Sequence, residues 1–156
     1  MKRVAANDPV ALLEMGTKHH SDGDYESAFK FYTKAAELGD VEAHYFLSIL
    51  YRAGDGVEMD EKKKVYHWEE AAIGGHPGAR HNLACEEWNK DRIDRAVKHW
   101  IIAANLGYDG AIQELKDCYA HGLVSKEDFA AALRAHQTAV DATKSPQREA
   151  AEAARK

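Results

Sequence analysis

Cysteine is scarce in this sequence: 156 residues include only Cys85 and Cys118. Two thiols cannot build the crosslinked framework of a small secreted domain, so the fold must come from packing, and a reducing, cytoplasmic setting is expected. Proline is nearly as rare, and Pro9, Pro77 and Pro146 leave long intervals in which a helix can run. No run approaches the roughly 20 apolar residues of a membrane span, so no membrane insertion is expected. Met1–Asp8 has basic residues but no apolar stretch behind them, and no secretory leader is expected there. Positive charge is also short, with 21 Lys and Arg against 26 Asp and Glu for a net charge of −5. A binder of nucleic acid or of an anionic membrane needs a clustered basic surface, and neither is expected as a partner. The single basic run, Lys62-Lys63-Lys64, reads as a solvated helix face. Strand-like alternation is absent.

What is present is a repeat. Ala35-Ala36-Glu37-Leu38-Gly39 returns as Ala71-Ala72-Ile73-Gly74-Gly75 and again as Ala103-Ala104-Asn105-Leu106-Gly107, at offsets of 36 and 32 residues. Before each copy, at the same offsets, stands a ring pair: Phe31-Tyr32, His67-Trp68 and His99-Trp100. The preceding half of the unit recurs as Ala11/Met15, Ala43/Leu47, Ala79/Leu83 and Ala111/Leu115. A fourth copy of the second half survives as Ala132, Ala135-His136 and Ala139-Val140, without a closing glycine. Self-similarity at such a period means stacked supersecondary units.

Each unit reads as two helices. Ala43, Leu47 and Tyr51 form one stripe at helical period, as do Tyr32, Ala35, Ala36 and Gly39. Paired alanines let helix backbones approach, and the aromatic one turn earlier fills the space between pairs. The pattern predicts first helices near 9–21, 41–53, 77–89 and 109–121, and second helices near 24–38, 60–74, 91–106 and 125–143. Asp24, Asp60, Asp91 and Ser125 stand where the second helices need N-caps. The repeats fall near 9–40, 41–76, 77–108 and 109–143, and residues 144–156 form a tail, helical or frayed.

The second unit carries a fuller motif: Ala43, Leu47, Tyr51, Gly54, Gly56, Val57, Asp60, Lys63, Trp68, Ala71, Ala72 and Gly75. It resembles the Sel-one-like repeat (SLR), a relative of the tetratricopeptide repeat, and departs from it at Ser48 and Lys64, where the pattern has glycine and alanine. The first and third units lack the G-x-G-V loop, and the fourth loosens after Ala111, Leu115, Tyr119 and Gly122. The resemblance implies an all-α fold, a right-handed α-solenoid of four helix pairs. It also implies a non-catalytic role as adaptor or scaffold, with no catalytic residues to carry over. Secreted relatives that pair cysteines within each repeat are set aside, because Cys85 and Cys118 lie in different repeats.

In a solenoid of this class the first helices line a concave face. Opposite the packing stripe, that face would take Leu13, Thr17 and His20 from repeat one and Tyr45, Ile49 and Arg52 from repeat two. Repeats three and four would add His81, Cys85 and Trp88, and Gln113, Asp117 and Ala120. Tyr, Trp and Arg are the types that concentrate interface energy, so a protein or peptide partner is expected across Tyr45, Arg52, His81 and Trp88. Ile49, Leu13 and Cys85 also suit packing between helices.

Nine histidines raise the question of metal. The tightest cluster is His76, His81 and Cys85, with the last two at i, i+4, but the closed four-ligand set of a structural zinc site is missing. His19 and His20 are adjacent and diverge, and His67 and His99 belong to the packing column. No metal or cofactor is expected. G-x-S-x-G and a phosphate loop are absent, and no carboxylate is read on the internal stripe. An interaction module leads, as a monomer or with weak self-association; a structural, self-associating unit and an unrecognised enzyme or metal protein follow.

Overall fold

The computed structural model describes residues 7–155. Residues 1–6, on which most of the reading against a leader rests, lie outside the described residues. The chain forms two compact units, one through Ala79 and one from Arg80. The first holds α1 (Pro9–Ser21), α2 (Tyr25–Glu37), α3 (Val41–Ala53), α4 (Glu61–Ile73) and the start of α5 (Pro77–Asn89). The second holds the rest of α5, α6 (Ile93–Asn105), α7 (Asp109–Ala120) and α8 (Lys126–Ala154). Among the described residues every regular element is a helix.

Local chemistry sets the helix ends. Asp24, Asp60 and Ser125 each accept a backbone N–H three residues on, from Ser27 at 3.2 Å, Lys63 at 3.0 Å and Asp128 at 3.0 Å. That satisfies one donor that the first turn leaves open. Asp91 does not do this. The residue in the cap position of α6 is Arg92, which makes no side-chain cap bond. Asp91 instead takes a left-handed turn at φ 60, which a short polar side chain tolerates. Its N–H donates to the Trp88 carbonyl at 2.9 Å.

The alanine columns are buried in both units. Ala28, Ala35, Ala43 and Ala71 are fully buried in the first, as are Ala96, Ala103, Ala104 and Ala111 in the second. Tyr32 fills the space between α1 and α3, stacked on Phe46 at 5.0 Å. A Cβ on Gly16 would lie 2.6 Å from the Tyr32 ring, so only glycine admits that ring. Gly56 serves the inserted loop: at φ 69, its missing side chain would meet the Tyr25 carbonyl at 2.4 Å. That contact lays the loop against the start of α2.

Two sequence expectations change. Lys64 is no part of a solvated face, since only 6% of it is exposed. It stands in the small-residue column of Ala28 and Ala96, its stem packed inward, its ammonium 4.7 Å from the Trp68 ring centre and bonded to Glu61. Glu87 is a carboxylate on the internal stripe, where Tyr51 stands one repeat earlier. Its side chain is 12% exposed and bridges Arg92 at 3.4 Å and Arg95 at 3.0 Å, cations that offset its burial. The tail from residue 144 is helical as far as Ala154, because α8 runs on through Pro146. An Ala- and Glu-rich flank of strong helix formers carries it past a residue that removes one backbone donor.

Candidate partner-binding site

The first-helix stripe divides by exposure. In the first unit Thr17 and Arg52 are exposed, while Leu13, His20, Tyr45 and Ile49 are half-buried. Several already have internal partners. Leu13 packs on the core, and His20 meets the Tyr25 ring edge-on at 5.2 Å. Tyr45 stacks on His76 at 4.3 Å. In the second unit Gln113, Asp117 and Trp88 are exposed, Trp88 at 39%. Gln113 donates to Asp117 at 3.3 Å, and Trp88 leans on Trp100 with ring centres 5.6 Å apart. His81 is half-buried, 5.0 Å from Tyr108 between ring centres, with its Nε2 3.6 Å from the Cys85 sulfur.

Of the candidate metal cluster, His76 lies in the first unit and His81 and Cys85 in the second. His76 places its Nε2 3.2 Å from Glu42, and its Nδ1 accepts the Ala79 N–H at 3.0 Å. Among the described residues no group of three or more metal-ligating side chains converges. Burial raises the pKa of both thiols, Cys85 and Cys118, which keeps them protonated.

A second feature of the first unit was not read from the sequence. Between α2 and α4, with α3 as its floor, lies a cleft of about 410 Å³. Phe29, Thr33, Ala36 and Glu37 come from α2; His44, Leu47 and Tyr51 from α3; Tyr66, His67 and Glu70 from α4. At its centre the Nδ1 atoms of His44 and His67 meet at 2.9 Å, so one ring donates and the other accepts. Burial first, then His44 and Lys63, push the pKa of His67 down to about 4. Burial lowers His44 as well, against the pull of Glu70 and Asp40. Both rings are therefore neutral at pH 7. Tyr51 stacks on His67 at 5.6 Å and draws the Lys63 ammonium to 5.6 Å from its own ring.

The repeat register explains the pair. His44 belongs to the column Leu12, His44, Arg80, Ile112, and His67 to the column Phe31, His67, His99, Ala135. The outer repeats carry apolar side chains at both positions; the middle two carry polar ones. In the second unit Arg80 and His99 reproduce the contact at 3.4 Å, where burial and then Arg80 lower the His99 pKa. The columns were readable in the sequence. Taking His67 and His99 only as packing rings hid their cross-helix partners.

Comparison with known proteins agrees with this architecture. The model of the Sel1 repeat matches residues 9–40, 41–76 and 89–108. An uncharacterized protein of Neisseria meningitidis is 35% identical over 112 residues, 71% of this chain and 24% of its own length. Chitin synthase regulatory factor 2 of Schizosaccharomyces pombe is 34% identical over 108 residues, 62% of this chain and 20% of its own. The chain thus spans a quarter or less of the length of these relatives. The crystal structure of a Sel1 repeat protein from Oxalobacter formigenes superposes with a TM-score of 0.69 at 31% identity, covering 87% of this chain and 59% of that one. The fold class is the all-α solenoid of Sel1-like helix pairs, and the chain belongs to the Sel1 repeat family.

Proposed function

We propose that this chain is a non-catalytic adaptor or scaffold that holds a protein or peptide partner on the first-helix faces of its repeats. Sel1 repeats are generally protein-interaction modules, and their fold is generally a non-catalytic scaffold. The observation that best supports the reading is the exposure of Arg52 and Trp88 on first helices, since large apolar and guanidinium groups in solvent are the usual anchors of an interface. Thr17, Gln113 and Asp117 would supply polar contacts around them. Leu13, His20, Tyr45, Ile49 and His81 would shape the surface from beneath, because their rings and stems are already packed. Arg52→Ala with Trp88→Ala is the direct test. Trp88→Ala gives up the contact with the buried Trp100, so the melting point should fall and capture is compared at a temperature where both proteins are folded. A partner captured by the wild-type chain should bind the double variant at least tenfold more weakly. Equal capture by both proteins would refute this face.

A further inference from the structure

The cleft between α2 and α4 has a chemistry that the first-helix stripe does not share. At its base lie two buried apolar side chains, Leu47 of α3 and Ala36 of α2, 1% and 7% exposed. Its walls present the rings of Phe29, Tyr51 and Tyr66, and a carboxylate stands on each side, Glu37 on α2 and Glu70 on α4. The ion pairs of His19 with Asp24, Lys64 with Glu61 and His76 with Glu42 involve neither Glu37 nor Glu70, and Glu70 faces the neutral His44. The two imidazoles at the centre add no charge at pH 7, because burial and their mutual contact hold them neutral. Asp40 adds a third carboxylate close to His44 and Lys63 a single ammonium close to His67.

We infer that this cleft receives an arginine or lysine side chain of a partner peptide. Three observations converge on a cationic guest with an apolar stem. The lining carries two carboxylates and no ammonium or guanidinium. The Tyr66 ring on the α4 wall is 51% exposed and offers aromatic surface on which a cation can pack. The chain as a whole is negative, at −5, which steers a basic partner towards it. A volume of 410 Å³ lies at the small end of ligand sites, enough for one long side chain and its backbone.

The surroundings favour a peptide over a free organic cation. Beside the cleft, Tyr66 at 51% and Ile73 at 77% exposure lie seven residues apart on one face of α4. They form an apolar shoulder that a free cation would leave wet and a peptide would cover. A second copy of this chain is a poor occupant, since the same acidic rim would face itself. The inference rests on the reading of the chain as an interaction module and gives that module a second, chemically distinct contact.

The test is selection of random heptapeptides displayed on phage against the immobilised chain, repeated with Glu37→Gln/Glu70→Gln. Glu26→Gln/Glu58→Gln, exposed positions outside the cleft, makes the same change in net charge and serves as control. Peptides recovered on the wild-type chain should be enriched in Arg or Lys. The strongest of them, made synthetically and measured by fluorescence anisotropy, should bind the cleft variant at least tenfold more weakly and the control within twofold. Norleucine in place of the basic residue should weaken binding as much, and the peptide should shift the ring resonances of His44 and His67. Recovery of peptides without basic enrichment, or equal loss in the control, overturns the cleft assignment and leaves the interaction module standing. Recovery of no peptide at all overturns both for peptide ligands.

Discussion

Replacing the His44 and His67 pair by the residues that the first repeat carries in the same columns, His44→Leu with His67→Phe, should remove much of the protein's acid sensitivity. The reasoning is one of linkage. His67 has a folded pKa of about 4 against an ordinary 6.5, so the unfolded chain binds its proton more readily. The stability held above pH 6.5 is therefore lost as pH falls from 6.5 towards 4. At about 1.4 kcal/mol per pH unit, discounted for the solvent that reaches a half-buried ring, acidification from pH 7 to pH 5 costs on the order of 1–2 kcal/mol. His44 adds a loss of the same sign, because burial lowers its pKa too and two imidazolium ions cannot share a 2.9 Å contact. Leu12 and Phe31 show that this crossing accepts apolar side chains, and an apolar replacement of a buried polar pair is close to neutral at pH 7. Urea denaturation followed by far-UV circular dichroism at pH 7 and pH 5 gives the comparison. The double variant should hold its pH 7 stability within about 1 kcal/mol and lose about 1–2 kcal/mol less than the wild type on acidification. An equal loss in both proteins would refute the pair as the acid-sensitive element. His81 and His99, whose pKa values burial also lowers, would then be the remaining histidine sources.

Other outcomes are expected from single positions. Gly16→Ala places a methyl 2.6 Å from the Tyr32 ring and should destabilise by about 1–3 kcal/mol in a thermal melt, whereas Gly23→Ala meets no neighbour but suffers its φ of 80. Asp91→Gly should stabilise by up to about 1 kcal/mol, since the turn is left-handed and no cap bond is lost, while Asp60→Ala should cost about 1 kcal/mol. An opposite sign at Asp91 would restore it as a cap. Cys85 and Cys118 should react with iodoacetamide at pH 7.5 at least tenfold more slowly in the native protein than in urea, their thiols being shielded and held protonated by burial. Native rates equal to the denatured ones would contradict that burial.

Secondary structure in this protein was legible because the repeat states each local rule several times. Alanine pairs, a ring one turn earlier and a closing glycine recur in three registers, so period and boundaries support one another: every helix begins within two residues of the spacing, and all but α8 end within one. The exceptions occur where a residue's role depends on a neighbour distant in sequence. Asp91 has a cap's identity, yet the backbone there turns left-handed. Lys64 reads as surface among three lysines, but Trp68 and Glu61 make its column habitable for an ammonium. Glu87 occupies an internal position because Arg92 and Arg95 meet it there.

The candidate sites show the same division. A helical stripe can be projected from spacing, and that placed Arg52 and Trp88 on first helices with no knowledge of tertiary structure. Spacing does not say that Tyr45 is spent on His76, or that Gln113 and Asp117 hold each other. The cleft between α2 and α4 is made by three helices, and its two carboxylates are 33 residues apart in the chain. Periodicity along one helix determines which side is apolar. Only the approach of other helices decides which polar groups meet and which remain available to a partner.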